Sequence, residues 1–554
     1  MNNLVGGRYA KTLGWSCLIW LLFFFAAGTA SSSEAKKTFD VQAVLKEVAA
    51  LVQPMEDGRE KFNLLGEMGI VQAKARNIGD ALRSLEGIPD GFQNDHQKNA
   101  LRKEIALAQA KAGKSQSALQ IAKTITSLDR EYALGGIALG KAEFGDVAGS
   151  LLILQEIRKG TGAKEEALQA IGKLQVKRGN LRTGIRTALQ AGEGNPNALR
   201  GIVFEQVNSG HLKEVLVEIR RISSYIPRQL GLMNVALALL TNNNLDSAIE
   251  VTKQIPAGYA SAIAWKEIAL TQIEAGNRTA SLLSLQHALV GALATQNTIA
   301  KSDFLWRIAG AQAKSGDITG ALQTASLNEA EFHRHLVLRD IVDEQVKAGD
   351  AKGALQAAAT IREKFKFTNP YISVLQDLAR AGKVDQALKI AASMEAEFEE
   401  YSPFEAIAVG QAEAGDIEGA LKTWPEVAGK SRDALLEQIR RVERISHIQV
   451  QNGDLAGAMR TVSRINKSWR ANALKDISLA YVKRGKVDRA LEVISTIEKE
   501  QPLADLLRQI AYAQAFKGDF EGVLKWSQKI ISPYVRSRAL LGAVRGVLDI
   551  EKAK

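Results

Sequence analysis

Ala-Gly-Asp-Ile-Glu-Gly-Ala-Leu, at Ala414–Leu421, decides the fold because variants of this stretch recur along most of the chain. Close relatives stand at Ser315–Leu322 and Ala348–Leu355. The position of the first glycine recurs fourteen times, and ten of the thirteen intervals are 31 to 34 residues long. These positions are Arg76, Gly113, Gly145, Gly179, Gly210, Asn243, Gly276, Gly316, Gly349, Gly382, Gly415, Gly453, Gly485 and Gly518. A fixed period in this range is typical of stacked helical hairpins.

The composition agrees with a helical repeat. The chain has 554 residues, only ten prolines and 6% aromatic residues. A length of this size alone would suggest several domains, but a repeat array grows by contacts between neighbours and needs no central core. The formal net charge of +11 favours acidic partners weakly and does not by itself imply nucleic acid.

Residues 1–30 have the layout of a secretory signal. Arg8 and Lys11 precede an apolar run from Leu13 to Ala27, and small residues follow at Gly28-Thr29-Ala30. This order predicts cleavage after Ala30 and a periplasmic or secreted protein. The alternative is an uncleaved segment that anchors the protein in a membrane through residues 13–27.

The only cysteine, Cys17, lies within this segment. The mature chain is therefore predicted to contain neither disulfides nor thiolate metal sites. A mature chain without cysteine also suits an oxidising compartment.

Each repeat is predicted to be a pair of helices. If the recurring glycine is repeat position 15, position 7 is apolar in all fourteen repeats and position 4 in thirteen. Spacings of three and four place such side chains on one helix face. The glycine ends this first helix because a left-handed residue is easiest for glycine. At the exception, Arg76, the next residue Asn77 is predicted to make the turn instead.

The second helix begins directly after the turn. Aspartates such as Asp317 and Asp416 follow their glycines and suit an N-terminal cap. Position 20 is small in twelve repeats and position 21 is a large aliphatic residue or Met in all fourteen, as at Ala420 and Leu421. The small residue lets the two helices approach closely, and its neighbour fills the space beside it.

These features predict an all-α protein, an α-solenoid with a right-handed superhelix of about 14 repeats over residues 62–531. Each hairpin leaves an apolar face for the next, so the ends of the array need caps. Residues 31–61 are predicted to form a linker and an N-terminal capping helix near Phe39–Val52. Residues 532–554 are predicted to form a C-terminal capping helix.

The pattern resembles the tetratricopeptide-repeat (TPR) superfamily over roughly Phe62–Ile531. Trp265 falls on the Trp position of that family, and the glycine and the small-Leu pair also match. The family's Tyr at position 11 occurs once, as Tyr481, and its final Pro is mostly missing. Segments such as Ala381–Leu388 also resemble pentatricopeptide repeats, which bind RNA.

Position 11 departs from the family most clearly, because ten of fourteen repeats place Gln there. These residues are Gln72, Gln109, Gln175, Gln206, Gln272, Gln312, Gln345, Gln411, Gln449 and Gln514. Position 11 shares a helix face with position 7, and a half-buried amide needs hydrogen-bond partners. We predict a structural ladder that links one hairpin to the next. The alternative is a row of polar side chains that face a ligand.

The TPR resemblance implies that positions 2, 5, 9, 12 and 13 line a concave groove. Positions 5 and 13 together carry thirteen basic and five acidic residues. The candidate binding residues are Lys103, Lys111, Lys177, Arg200, Lys266, Lys314, Arg339, Lys347, Arg380, Lys475, Lys483 and Arg508. They predict a groove for an acidic protein or peptide partner or an anionic polymer. The alternative is an ordinary solvated helix face.

Three intervals between glycines are longer, at 37, 40 and 38 residues. The extra residues lie near Pro89–Gln97, Gly291–Lys301 and Val427–Gln438. Insertions of this kind are predicted to form loops or lengthened helices on one face.

No enzyme motif is complete. The stretch Gly135–Ala142 lacks the final Ser or Thr of a phosphate-binding loop. His333 and His335 are two residues apart and point to different helix faces, so they make a poor metal pair. We expect no cofactor, no metal and no catalytic activity.

The sequence thus favours a non-catalytic scaffold of the cell envelope or secreted space that binds other proteins along its groove. One alternative is an RNA-binding array of the pentatricopeptide kind, which the signal opposes. A second alternative is the helical body of a polysaccharide-acting envelope enzyme.

Overall fold

The computed structural model describes residues 40–91, 94–158, 161–192, 194–329, 331–347, 350, 353–354, 371–393, 403–424, 432–495, 497 and 500–553. The chain divides into two compact units, Met1–Val41 and Gln42–Lys554. The predicted signal lies outside the described residues. Within those residues the protein consists of α-helices and one short 3-10 helix at Lys467–Trp469, without strands. None of the described helices has the length and apolarity required to cross a bilayer.

The helices in chain order are α1 (Val41–Val52), α2 (Arg59–Lys74), α3 (Ile78–Glu86), α4 (Asp95–Lys111), α5 (Ser115–Lys123), α6 (Asp129–Glu143), α7 (Val147–Gln155), α8 (Gly162–Lys177), α9 (Leu181–Leu189), α10 (Arg200–Asn208), α11 (Leu212–Arg220), α12 (Tyr225–Thr241), α13 (Leu245–Thr252), α14 (Tyr259–Glu274), α15 (Arg278–Leu293), α16 (Thr298–Lys314), α17 (Ile318–Ser326), α18 (Glu331–Lys347), α19 (Tyr371–Arg380), α20 (Val384–Ser393), α21 (Pro403–Glu413), α22 (Ile417–Thr423), α23 (Arg432–Gln451), α24 (Leu455–Val462), α25 (Ala471–Lys483), α26 (Val487–Ile494), α27 (Glu500–Phe516), α28 (Phe520–Ser527) and α29 (Pro533–Ala553). The first helices of the repeats are the even-numbered helices α2 to α18 and the odd-numbered helices α19 to α27.

The chain is an all-α solenoid of TPR-like helical hairpins, as the sequence predicts. Position 7 forms the core of each hairpin, and Ile105, Ile268 and Ile407 are fully buried there. The turn glycines have positive φ values, such as 91° at Gly415. In the same turn the Asp416 N–H donates to the carbonyl oxygen of Gln411 at 2.9 Å. This bond closes a helix end of the Schellman type.

The prediction for the Arg76 turn is wrong. Arg76 itself has a φ of 62° and adopts the left-handed conformation. Asn77 instead caps α3, where its side chain accepts from the Asp80 N–H. The Asn77 N–H donates to the Gln72 carbonyl at 2.8 Å, as in the glycine turns. The hairpin geometry therefore imposes the turn on Arg76. Asn243, with a φ of 55°, makes the same turn as predicted.

The first helices lie on the inner side of the array. Each contacts the first helix of the next repeat along the whole described chain. Among the described second helices, close contact between neighbouring repeats is confined to α9 and α11. In a curved array, helices that contact their equivalents in the next repeat lie closer to the axis of curvature. Helices that are separated from their equivalents lie farther from that axis. The repeat positions on the free face of the first helices therefore face inward.

The two ends of the array contact each other. Helix α29 packs against α27 and also against α2, at the opposite end of the sequence. The Arg538 guanidinium forms an ion pair with Glu67, and that of Arg536 forms one with Glu47. No residue from Tyr534 to Ile550 is exposed. Helix α29 is thus a fifteenth first helix that closes the array, whereas a terminal cap would keep one face in water.

Helix α1 lies beside this junction. It carries Glu47, and the Gln42 side chain accepts a hydrogen bond from Asn77 Nδ2 at 2.9 Å, at the start of α3. It buries Val44, Leu45 and Val48, among others. Helices α1 and α29 thus both lie at the junction between the two ends of the array.

Closure has a geometric consequence. Helices that pack at axis separations of about 8–10 Å would form a circle of fifteen with a diameter of roughly 40–50 Å. Subtracting a helix diameter of about 10–12 Å leaves an opening of roughly 30 Å.

The three longer intervals take different forms. The second one lengthens α15 to 16 residues, and the third one falls partly in α23, which has 20 residues. The first one forms the connection between α3 and α4. There the buried Lys98 donates from Nζ to the Ile88 carbonyl at 3.0 Å.

Candidate functional site

The predicted groove residues lie on the first helices and differ in exposure. Those with exposed side chains are Lys111, Lys177, Arg200, Lys314, Lys347, Arg380, Lys475 and Lys483. Lys103, Lys266 and Arg508 are half-buried. The side chain of Arg339 lies outside the described residues. The positions are spread around the array, so the structure does not bring them into one pocket.

Several of these cations already pair with carboxylates of the next first helix. Lys103 binds Asp129, and the Lys177 ammonium lies 3.7 Å from Glu205. The Arg380 guanidinium binds Glu413. Exposed pairs of this kind contribute little to stability, but they reduce the positive charge that the inner face presents.

Other cations are engaged within their own helix. Lys347 Nζ lies 2.7 Å from Glu344, and Lys266 pairs with its neighbour Glu267. The Arg200 guanidinium lies 5.1 Å from the Phe204 ring centroid, over its face. The basic excess of the inner face is therefore smaller than the sequence count suggests.

Four exposed lysines form no salt bridge with any described carboxylate: Lys111, Lys314, Lys475 and Lys483. Three of them occupy position 13, in the last turn of α4, α16 and α25. They lie at one edge of the inner face, where each first helix ends. A lysine there also complements the negative end of the helix dipole.

An apolar row runs beside these lysines at repeat position 9. The row is interrupted at Lys173, Gly310, Asp343, Gln376 and His447, and its half-buried members are Ile70, Leu107, Leu139, Phe204, Leu237, Leu270, Leu479 and Tyr512. These side chains bridge adjacent first helices. Leu107, for example, fills the space above Gly136, where an added Cβ would lie 1.9 Å from Leu107 Cδ2. The inner face thus combines half-buried aliphatic side chains with exposed lysines.

The glutamines of position 11 bond within their own hairpin. Gln411 Nε2 donates to Asp416 Oδ2 at 3.0 Å, while Asp416 Oδ1 accepts from the Gly419 N–H at 2.8 Å. The aspartate therefore caps the second helix and holds the end of the first helix at the same time. We call this arrangement the Gln–Asp–Gly bracket.

The bracket recurs in four repeats. The other three sets are Gln345, Asp350 and Gly353; Gln449, Asp454 and Gly457; and Gln514, Asp519 and Gly522. In two other repeats the glutamine oxygen accepts from a buried serine of the second helix, Ser84 to Gln72 and Ser284 to Gln272, both at 2.7 Å. These bonds join the two helices of one hairpin. They do not form the connection between hairpins that the ladder prediction proposed.

The glutamine row is not uniformly satisfied. Gln109, Gln175, Gln312, Gln345 and Gln411 each have a buried side-chain oxygen without a hydrogen-bond partner. Gln206 is half-buried. The side chains point into the hairpin core, because most of them are buried. The described glutamines therefore do not form a polar row on the inner face.

The glycine of the bracket has a steric reason that the sequence analysis missed. An added Cβ at Gly419 would lie 1.9 Å from Asp416 Oδ2 and 2.3 Å from Gln411 Nε2. Gly457 has the same surroundings. The signal was present in the sequence as the second glycine of the recurring stretch, three residues after the aspartate.

The described residues contain no group of three His, Cys, Asp or Glu side chains suited to a metal ion. The side chains of His333 and His335 lie outside those residues. Gly135 and Gly140, of the incomplete phosphate-loop stretch, lie within α6. Added Cβ atoms there would lie 3.1 Å from the Ala163 carbonyl oxygen and 3.0 Å from that of Ala110. These glycines permit close packing of neighbouring helices.

No protein-family model matches the chain, and no curated protein matches it. Solved structures that are similar to it are helical repeat proteins. They include Naa15/Naa10 bound to HypK-THB, with 14% identity, 82% of this chain and 80% of that chain covered, and a TM-score of 0.25. The human IFIT1 dimer with PPP-AAAA has 13% identity, coverage of 83% and 99%, and a TM-score of 0.24.

A third similar structure is the pentatricopeptide repeat protein PPR10 in complex with an 18-nt psaJ RNA element. It has 12% identity, coverage of 93% and 97%, and a TM-score of 0.26. At these identities and TM-scores the likeness carries no argument about the function of this chain. The partner of this chain has to be argued from its own inner face.

Proposed function

We propose that this protein is a non-catalytic scaffold of the cell envelope or secreted space that binds a protein partner on its inner face. The observation that supports the proposal best is the composition of that face. Half-buried aliphatic side chains at position 9 run beside exposed lysines at position 13. A peptide segment with apolar and acidic residues complements both rows.

The alternative partner is RNA. A basic excess and the half-buried aromatic rings of Phe204 and Tyr512 at position 9 favour it. Most of the apolar side chains of that row are aliphatic, however, such as Leu107 and Leu270, whereas single-stranded nucleic acid needs aromatic stacking surfaces. The ion pairs of Lys103, Lys177 and Arg380 further reduce the charge available for phosphates. We therefore favour a protein partner.

The location rests on the predicted signal at residues 1–30 and on a mature chain without cysteine. Cell fractionation with a C-terminal tag tests it. Recovery of the full-length, uncleaved chain in the cytoplasm would contradict the proposed location.

The binding surface can be tested by charge reversal. Lys111, Lys314 and Lys483 change to Glu in one variant, and the exposed lysines Lys213, Lys422 and Lys525 of second helices change in the control. Both variants lose the same net charge. The partner is first isolated by cross-linking capture with the wild type.

We expect the inner variant to capture at least about tenfold less partner, equivalent to about 1.4 kcal/mol, and the control to capture normally. Equal capture by both variants would contradict the inner-face proposal. Filter binding of single-stranded RNA by the same proteins decides the alternative. RNA binding that only the inner variant loses, without a captured protein, would favour the RNA-binding function.

A further inference from the structure

The junction between α29 and α2 differs from every other boundary between neighbouring first helices. All the other neighbours follow each other directly in the order of first helices along the chain. Here the paired residues are far apart in sequence, with 471 positions between Glu67 and Arg538. We call this junction the seam. It is the boundary that can separate without unfolding a hairpin.

Apolar side chains bury much of α29. Leu540 and Val544 share one face of the helix, Leu541 lies on a neighbouring face, and all three are fully buried. Gly542 admits the backbone of α27, since an added Cβ there would lie 2.2 Å from the Arg508 carbonyl oxygen. Gly546 meets the Tyr512 carbonyl in the same way. The packing of α29 is therefore close on the α27 side, which the chain also joins through α28.

Polar groups meet around Arg538. This residue is 8% exposed and pairs with Glu67 of α2 and with Asp505 of α27. Arg508 faces the same cluster, and burial, followed by the nearby charges of Arg538 and Arg545, lowers the pKa of its guanidinium. Charged groups held in such surroundings are stabilised by their partners and penalised by desolvation at once.

Unsatisfied hydrogen-bonding atoms accumulate at this place. Buried atoms without a partner are Glu67 Oε2, Arg508 Nε, Arg536 Nε, Ser537 Oγ, Arg538 Nε and Arg545 Nε. Three of these atoms, Glu67 Oε2, Arg536 Nε and Arg538 Nε, belong to side chains that pair across the seam, and they recover hydrogen bonds with water when the seam separates.

We propose that the ring opens at the seam and admits a continuous partner chain sideways to its inner face. The ion pairs of Arg536 and Arg538 close the ring at the seam, and the unsatisfied polar groups there lower the barrier to opening. The use of the opening rests on the proposed binding function, whereas the opening itself does not. A linear polypeptide longer than the opening is wide could then be enclosed without being threaded from one end.

Cross-linking can measure the opening without any partner. The full chain with Cys17→Ser receives cysteines at Glu47 and Arg536, which are half-buried and paired across the seam. A short bis-maleimide joins them, and a denaturing gel separates the closed product. The matched control carries cysteines at Arg380 and Glu413, an ion pair between neighbouring first helices that the chain also joins.

The cysteine variant lacks the Glu47–Arg536 pair, so the buried Arg538–Glu67 pair is left to hold the seam. Because salt screens a buried pair little, removal of this pair is the decisive change. We expect Arg538→Gln to lower the seam product by about twofold or more, while the control yield stays constant. A seam yield that Arg538→Gln leaves unchanged, or that is absent while the control reacts, would overturn the proposal.

Sideways admission is tested with the partner from the capture experiment. The cross-linked ring should lose the continuous chain but retain a short peptide from it. Retention of both by the cross-linked ring would refute admission through the seam. The variant in which Lys111, Lys314 and Lys483 are changed to Glu tests the binding function separately. If it loses capture while the seam still cross-links normally, the result bears on binding and not on the opening of the seam.

Discussion

Replacing Gly419 by Ala tests the Gln–Asp–Gly bracket directly. In an ordinary exposed helix the change would stabilise the protein, because glycine is about 1 kcal/mol less favourable than alanine in a helix. Here the new Cβ would lie 1.9 Å from Asp416 Oδ2 and 2.3 Å from Gln411 Nε2. Both side chains must move away, since real Cβ atoms do not approach so closely.

The expected size follows from the bond that is lost. Both clashing atoms are the ends of flexible side chains, which move at low cost. The cap bond to the Gly419 N–H is made by the other oxygen, Asp416 Oδ1, so the loss is that of the Gln411–Asp416 bond. Gln411 is 4% exposed, and a buried amide without partners costs about 1–3 kcal/mol. After the gain in helix propensity of about 1 kcal/mol, the net effect is a destabilisation of up to about 2 kcal/mol.

Local hydrogen exchange is the suitable assay because long repeat arrays do not unfold in one step. A loss of 1.4 kcal/mol corresponds to about tenfold less protection, and we expect it in peptides from Pro403 to Thr423. Gly79→Ala is the matched control, since no atom lies within 4 Å of an added Cβ there. It should raise protection in α3. If Gly419→Ala also raises protection, the steric argument is wrong.

Three further predictions concern other turns and pairs. Arg76→Gly should raise the melting temperature, because the left-handed conformation at φ 62° costs a non-glycine residue about 1–2 kcal/mol; a lower melting temperature would show that the Arg76 side chain stabilises the turn. Gln345→Leu with Gln411→Leu should lower the melting temperature and leave partner capture unchanged, whereas lost capture at an unchanged melting temperature would favour a ligand-facing row. Burial, then the charge and hydrogen bond of Asp549, raise the pKa of Tyr512 from 10.0 to about 12. The folded state thus favours the neutral phenol, and this stabilisation is complete below pH 10 and lost as the pH rises to 12. Tyr512→Phe should therefore show a smaller fall in melting temperature over that window, and an identical fall would contradict the assignment.

The hairpin could be predicted because its determinants are local. Position 7, the turn glycine and the capping aspartate lie within one repeat, so their spacing is visible in the chain. The prediction for Arg76 was wrong because Asn adopts the left-handed conformation more readily than Arg, which favoured Asn77 for the turn. The bond from the Asn77 N–H to Gln72 requires the left-handed residue one position earlier. At Arg76 the geometry of the hairpin overrides the conformational preference of the residue.

The inner face was harder to predict for a different reason. Asp129 and Glu205 pair with groove lysines from positions outside those counted for the groove. Such pairs depend on the offset between neighbouring helices, which no single repeat contains. To predict the hydrogen-bond partners of the glutamines, one likewise needs the direction of each side chain relative to Asp416 and its equivalents.

The contact between the two ends of the array was not predictable from a single repeat. It depends on the rotation between neighbouring repeats, and small differences in that rotation add up over the whole array. The sequence of α29 did contain a signal. From Tyr534 to Leu548 apolar residues and glycines lie on every side of the helix, whereas a cap would keep one polar face.

The closed succession of first helices limits how this protein can change its length. An open solenoid tolerates the gain or loss of a hairpin, since each repeat needs only its neighbours. In a ring, one hairpin more or fewer alters the rotation that every remaining boundary must supply. Duplications and deletions of whole repeats, the usual route by which such arrays diversify, should therefore be selected against here, and the number of hairpins should vary less than their surface residues.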